Sequence, residues 1–101
     1  MIIYNVTVKI EPDTHDEWLQ WMRSQHIPDV MRTGLFKEYR MSRVLGQDES
    51  DGVTYSIQYL CPDMPTLQLY AAQFAPALQQ EHSKRYEGKF VAFRTLLELL
   101  D

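Results

Sequence analysis

The stretch that decides the fold is residues 25–36, which read QHIPDVMRTGLF. A helix enters this stretch, because the apolar residues before it recur at helical spacing and form a core-facing stripe. That stripe consists of Trp18, Leu19, Met22, His26 and Val30. Pro28 lacks a backbone N–H and is expected either to kink this helix or to divide it in two. Gly34 is typical of the position just after a helix C-terminus, and a strand follows it.

Outward from this stretch, alternating apolar and polar residues predict the strands. They are Ile3–Ile10, Leu35–Leu45, Val53–Cys61 and Lys89 to about Leu99. Asp63 is expected to cap a second helix, which Pro76 kinks or divides. Its core-facing stripe is predicted to be Leu67, Ala71, Phe74, Ala75, Leu78 and His82. The order β-α-β-β-α-β with right-handed crossovers predicts an α+β, ferredoxin-like fold, in which one antiparallel sheet carries both helices, kinked or split, on one face.

The composition indicates a single domain spanning residues 1–101. Hydrophobic residues make up 45% of the chain, which is enough to build a core. A net charge of -4 without a basic cluster argues against a nucleic-acid partner. No apolar run is long enough for a membrane span and the N-terminus lacks signal-peptide features, so we expect a cytoplasmic protein without membrane partners. The only cysteine, Cys61, is predicted to be a buried apolar residue.

Two helices can cover only one face of the predicted sheet. The residues expected under the helices are Tyr4, Val6, Val8, Tyr55, Ile57 and Tyr59. The opposite face is expected to carry Asn5, Thr7, Lys9, Thr54, Ser56 and Gln58, with Val91 or Phe93 beside them. That face is too polar for a dry core and borders on too many aromatic residues to be ordinary solvent-exposed surface. We therefore expect two subunits to pack sheet against sheet as a homodimer; the alternative is a monomer with a hydrated sheet face.

Four segments carry a resemblance to a known family. They read HIPDVMRTGLF at residues 26–36, VTYSIQY at 53–59, FAPAL at 74–78 and GKFVAFRTLL at 88–97. The chain resembles, over nearly its whole length, an uncharacterised family of bacterial proteins of similar size, catalogued only as a domain of unknown function. This resemblance implies the dimeric α+β barrel superfamily and brings no established activity.

The candidate catalytic residues are His26, Asp29 and His82. His26 lies on the apolar stripe of the first helix, and Asp29 follows three residues later, where its carboxylate can orient the imidazole. Such a pair beside a cavity can act as a general base. His82 repeats the pattern in the second helix; for either histidine the alternative is a role in core packing. His15 lies among acidic residues near a helix start and is expected to be exposed.

The candidate ligand-binding residues come from the same surfaces. They are Asn5, Trp18, Met22, His26, Arg40, Tyr55, Gln58 and His82. Arg40 and Arg94 lie in predicted strands, where each charge needs a partner. That partner can be Glu38 or Glu98, a second subunit, or a ligand carboxylate. The spacing of the histidines does not match a metal site, and neither a metal nor a cofactor is expected.

Three functions follow from these observations. The favoured one is a homodimer that binds a small apolar or aromatic ligand in a cavity between sheet and helices. The superfamily that the resemblance implies includes cofactor-independent monooxygenases and haem-degrading oxygenases, so an enzyme is the alternative. The haem-degrading group is similar in having an asparagine on the first strand, as Asn5, and a histidine on the second helix, as His82. It differs because its strand-three tryptophan is missing here. The third function is a protein-interaction module.

Overall fold

A four-stranded antiparallel sheet lies at the centre of the computed structural model, which describes all residues from Met1 to Asp101. The strands are β1 (Ile2–Ile10), β2 (Glu38–Arg43), β3 (Val53–Cys61) and β4 (Phe90–Glu98). The helices are α1 (His15–Trp21), α2 (Ile27–Met31), α3 (Met64–Gln73) and α4 (Ala75–Arg85), and a π-helical turn, Met22–His26, joins α1 to α2. The strand order is β2-β3-β1-β4. The predicted ferredoxin-like α+β fold is therefore confirmed.

The first helical arm runs without interruption but widens before Pro28. The N–H of Ile27 donates to the carbonyl of Met22, five residues earlier, which is the spacing of a π-helix. In a regular α-helix the ring of Pro28 would press against the carbonyl of Ser24, and a wider turn relieves that contact. Pro28 then lies in the first turn of α2, where its missing N–H is not needed. The wider turn also brings Ile27 into the core, where it is 1% exposed.

The second helical arm is divided. The carboxylate of Asp63 caps α3 as predicted, accepting a hydrogen bond of 2.9 Å from the backbone N–H three residues later. Pro76 lies in the first turn of α4, and the break falls at Phe74, where φ is -118°. Because the two pieces do not share one continuous phase, the predicted stripe is partly wrong. Ala71 and Phe74 are exposed, and Tyr70 is buried instead.

The second strand is shorter than its predicted range of Leu35–Leu45. Phe36 leaves the plane of the sheet and is buried under the helices, so only Glu38–Arg43 pairs regularly with β3. The ring of Phe36 lies 6.0 Å from that of Tyr4 and 4.7 Å from that of Tyr70, measured between centroids. Packing of one aromatic side chain into the core thus determines where the strand begins.

The two faces of the sheet differ as predicted. The helix-side face of β1 and β3 buries Tyr4, Val8, Ile10, Val53, Tyr55, Ile57, Tyr59 and Cys61. The other face, which we call the open face, carries Asn5, Thr7 and Lys9 directly opposite Gln58, Ser56 and Thr54. Val91 and Phe93 of β4 also lie there, opposite Lys9 and Thr7, and are 66% and 62% exposed. No element of this chain covers the open face.

Candidate functional site

A cavity of about 150 Å³ lies between the helix-side face of the sheet and the helices. Most of its wall is apolar or aromatic, and strands β1, β3 and β4 provide its floor. The polar groups that reach it come from tyrosine, histidine, glutamine, serine and arginine side chains. They belong to Tyr4, Tyr59, Tyr70, His26, His82, Gln79, Ser83 and Arg94. None of the lining residues is acidic.

His82 is held in one tautomer at the wall of this cavity. The indole N–H of Trp18 donates to Nε2 of His82 at 2.9 Å. Because an indole can only donate, Nε2 must accept, and the single proton of the neutral ring lies on Nδ1. The edge of Phe90 packs against the imidazole with the ring centroids 4.5 Å apart. Burial, together with the neighbouring His26, lowers the pKa of His82 to about 4. His82 is therefore a neutral hydrogen-bond donor at physiological pH.

His26 lies at the end of the π-helical turn and faces the same cavity. Its ring centroid is 5.7 Å from that of His82 and 5.2 Å from that of Trp21. Nδ1 of His26 is buried and has no hydrogen-bond partner. The pKa of His26 is lowered to about 4, mainly by burial. The negative charge of Asp29 opposes this decrease, and the positive charge of Arg94 adds to it. An unpartnered buried nitrogen costs about 1–3 kcal/mol, so a bound molecule that supplied a hydrogen-bond partner would be stabilised here.

A hydrogen-bonded group of three side chains lies at one end of the cavity. The hydroxyl of Tyr4 accepts from Nε of Arg94 at 3.1 Å and from Nε2 of Gln79 at 3.5 Å. These contacts connect β1, β4 and α4. The same three residues also line an adjacent apolar groove of about 300 Å³. The Tyr4–Gln79–Arg94 group thus separates the inner cavity from a surface groove.

The structure brings together only part of the predicted site. Met22, His26 and His82 line the cavity, and Trp18 reaches it through its hydrogen bond to His82. Tyr55 is buried on the same face but lies beyond the lining, where its hydroxyl is 2.7 Å from Nε2 of His15. His15 is therefore half-buried, and the prediction that it is exposed is wrong.

The other predicted ligand-binding residues lie on the open face. Asn5 accepts a hydrogen bond of 2.6 Å from Ser56 and donates one of 3.0 Å to Thr7. Arg40 and Gln58 lie directly opposite each other in β2 and β3. These residues cannot share a pocket with His26 and His82, because the sheet lies between them. The pairing of Asn5 with His82 that the haem-degrading group implies is therefore not formed.

Asp29 does not orient His26. Its carboxylate accepts from Gln25 at 3.0 Å and is paired with Arg32. Both partners lie within about one helical turn of Asp29, so its carboxylate is held by its own helical arm instead of by His26. Neither Arg40 nor Arg94 forms an ion pair with Glu38 or Glu98, so of the predicted partners a second subunit or a ligand carboxylate remains.

Sequence reasoning missed several lining residues. Tyr70, Gln79 and Ser83 belong to the divided second arm, whose phase changes at Phe74. The register of β4 would have helped, because Val6 pairs with Arg94 and must share its face. No group of three His, Cys, Asp or Glu side chains is arranged to hold a metal ion. No helix combines the length and apolar character that crossing a bilayer requires.

Comparison with known proteins identifies the family. A family model described as domain of unknown function (DUF4286) matches residues 1–100. The chain therefore belongs to this family, as its sequence segments implied. No match was found among curated proteins.

Solved structures show the same fold at low sequence identity. An ethyl tert-butyl ether d (EthD) family protein from Bacillus halodurans is 14% identical with a TM-score of 0.71, over 99% of this chain and 100% of that one. A dimeric ferredoxin-like protein from an uncultured marine organism is 11% identical with a TM-score of 0.69, over 99% and 97%. SnoaB, a cofactor-independent oxygenase from Streptomyces nogalater, in mutant form, is 12% identical with a TM-score of 0.66, over 99% and 94%.

Proposed function

We propose that this DUF4286 protein is a homodimer in which each subunit binds a small apolar or aromatic molecule in the helix-side cavity. One observation carries the proposal: a buried cavity lined mainly by apolar and aromatic groups also contains an unpartnered nitrogen, Nδ1 of His26, beside the neutral His82. Concave apolar sites with a few convergent polar groups are the usual form of ligand pockets.

The size of the cavity limits the ligand. An apolar cavity of about 150 Å³ holds a molecule the size of benzene, whereas drug-sized ligands need roughly 300 Å³ or more. At about 150 Å³, the cavity fits one ring. A haem group is far larger, and the separation of Asn5 from His82 by the sheet also speaks against haem chemistry.

The protonation properties of the histidines favour binding over catalysis. Proton transfer is most efficient when the pKa of the base is near the working pH. The pKa of His26 is lowered to about 4, so at neutral pH it accepts a hydrogen bond but is a weak proton acceptor. Burial raises the pKa values of Tyr59 and Tyr70, so their hydroxyls stay protonated as well.

The open face supports self-association. Val91, Phe93 and Leu97 expose apolar surface on β4, around a polar centre in which Asn5 is 8% exposed and already hydrogen-bonded. Polar side chains that are satisfied internally, as Asn5 and Ser56 are, can be buried at little cost. A second copy of the same sheet is the partner of matching shape, and one structural neighbour is described as dimeric.

The dimer is tested by sedimentation or native mass spectrometry of the wild type and Phe93→Glu. We expect a dimer that becomes a monomer in Phe93→Glu, because the new charge would be buried without a partner. Leu69→Glu is the matched control, since Leu69 is 42% exposed on the helix layer. A wild-type monomer, or a Phe93→Glu protein that stays dimeric, contradicts the assembly.

Ligand binding is tested by titrating phenol, an uncharged single ring, while following tryptophan fluorescence. Ala92→Phe places a ring in the cavity that Ala92 lines and is expected to weaken binding at least about tenfold, a loss of about 1.4 kcal/mol. Ala72→Phe, on the exposed side of α3, should bind as the wild type does. Equal phenol affinity in the wild type and Ala92→Phe would exclude this cavity.

A cofactor-independent oxygenase is the second candidate. It is favoured by the likeness of the fold to SnoaB and by the unpartnered Nδ1 of His26. This function predicts oxygen consumption with a phenolic or quinol substrate that is lost in His26→Gln, whereas pure binding predicts none. A protein-interaction module would need no cavity, so the presence of one favours the other two functions.

A further inference from the structure

We infer that the ligand is a single-ring aromatic carboxylate, bound with its ring in the inner cavity and its carboxylate on Arg94. This inference rests on the proposed function and specifies its ligand class. It starts from the charges of the lining residues, among which Arg94 is the only permanent cation and no residue is acidic.

Arg94 lacks a counter-ion within the protein. Other cationic side chains of this protein do contact carboxylates, as in Lys9–Asp51, Arg43–Glu49 and Arg85–Glu17. The guanidinium of Arg94 makes a single hydrogen bond, from Nε to the hydroxyl of Tyr4. Both of its terminal nitrogens are free, and they form the planar fork that binds a carboxylate through two hydrogen bonds.

Arg94 differs from the other unpaired arginines in being held at a cavity. Tyr4, which is 8% exposed, receives hydrogen bonds from both Arg94 and Gln79 and so fixes the direction of the guanidinium. Arg94 is exposed, as are Arg23 on the π-helical turn and Arg40 on the open face, but of the three only Arg94 lines the inner cavity. A pre-positioned arginine loses less conformational freedom when it binds an anion.

The position of Arg94 also suits a charged group. Most of the residues that line the inner cavity are apolar or aromatic, and a carboxylate buried among them without a partner would be costly. Arg94 borders both this cavity and the surface groove, so a carboxylate there meets the guanidinium while keeping contact with water. The ring then packs among Tyr4, Tyr59, Tyr70 and Phe90, and a ring hydroxyl can donate to Nδ1 of His26.

The experiment compares benzoate with benzamide, an uncharged molecule of nearly the same shape, by calorimetric titration at pH 7. We expect benzoate to bind the wild type about tenfold more tightly, as for a charge-assisted hydrogen bond. Arg94→Gln should abolish this preference, so that benzoate binds this variant no more tightly than benzamide does. Arg94→Lys, which keeps the charge but loses the fork, should keep part of it, and Arg23→Gln should keep all of it. Thermal unfolding of each variant verifies that it is folded.

The possible outcomes separate the two proposals. If wild-type protein binds benzamide as tightly as benzoate, or if the preference persists in folded Arg94→Gln, the carboxylate inference is wrong and the ring-binding cavity stands. If neither molecule binds, nor phenol, the inference and the proposed ligand binding both fail.

Discussion

The two faces of the sheet are different kinds of surface. Along β3, Ile57 points to the helix side and is 1% exposed, while its neighbours Ser56 and Gln58 point to the open face. The helix-side face packs aromatic and branched side chains and encloses a cavity with two neutral histidines. The open face has a hydrogen-bonded polar centre and exposed apolar residues on its edge strand. Because successive side chains of a strand point to opposite faces, one strand contributes to both the proposed ligand site and the proposed dimer interface and keeps them apart.

The difference also concerns charge. Ionisable groups on the helix side of the cavity are kept neutral, since burial is the largest cause of the lowered pKa values of His26 and His82. The ion pairs lie at the periphery, where solvent screens them and each contributes little to stability. Packing and burial, more than ion pairs, therefore determine the stability of the helix-side face.

The largest expected effect is a difference in the free energy of unfolding between substitutions on the two faces of β3. Ile57→Ala should lower the free energy of unfolding by about 2–5 kcal/mol, because it leaves a cavity in the core. Ser56→Ala removes the hydrogen bond to Asn5 and should cost about 1 kcal/mol. Urea denaturation of both variants measures the difference. Equal losses would mean that the two faces contribute alike.

The next effect is a dependence of stability on pH. The pKa values of His26 and His82 fall from 6.5 in the unfolded chain to about 4 in the native protein. The unfolded chain therefore binds more protons between these values, so the stabilisation is complete above pH 6.5 and is lost as the pH falls towards 4. A pKa difference of this size corresponds to about 3 kcal/mol per histidine over the whole range.

This pH dependence is measured by urea denaturation between pH 7 and 5.5. In the upper part of this pH range, the carboxyl groups with lowered pKa values stay almost fully charged and contribute little to the change in stability. These groups belong to Asp13, Glu17, Asp48, Glu49 and Asp63. His82→Gln keeps an acceptor for Trp18 and should reduce the slope by about half. An unchanged slope in His82→Gln would show that this histidine is not buried in its neutral form.

A smaller effect concerns the contact that holds His82. Trp18→Phe removes the indole donor and leaves Nε2 of His82 without its partner, which should cost about 1–3 kcal/mol. Trp21→Phe is the matched control, because Trp21 contacts His82 through its ring, at 5.9 Å between centroids. Denaturation curves of the two variants provide the comparison. If Trp21→Phe costs as much as Trp18→Phe, ring packing rather than the hydrogen bond holds His82.

Much of the fold could be predicted from period-two alternation, and much of the site could not. The bounds of β3 match the prediction of Val53–Cys61 because every second residue is buried on one side. β2 was predicted too long because Phe36 packs into the core, a tertiary effect that alternation does not record. Pro28 and Pro76 marked where the helices change, but the same residue type produced a π-helical turn in one arm and a break in the other.

The candidate site depends on contacts between distant segments. His26 and His82 could be named because each lies on an apolar stripe, but their proximity of 5.7 Å depends on how the two helical arms pack. Asn5 and Gln58 were correctly predicted to lie on the open face, and Arg40 lies there too, so these residues could not share a cavity under the helices with His26 and His82. Asp29 was paired with His26 from spacing alone, which does not show that Gln25 and Arg32, also within a helical turn, hold its carboxylate.

The most direct measurement is NMR of the protein labelled with ¹⁵N-histidine, with and without phenol at pH 7. The account predicts that His26 and His82 are neutral, that His82 carries its proton on Nδ1, and that phenol shifts the signals of His26 and His82 but not those of His15. A charged His26 or His82, a proton on Nε2 of His82, or a response confined to His15 would contradict the proposed cavity site.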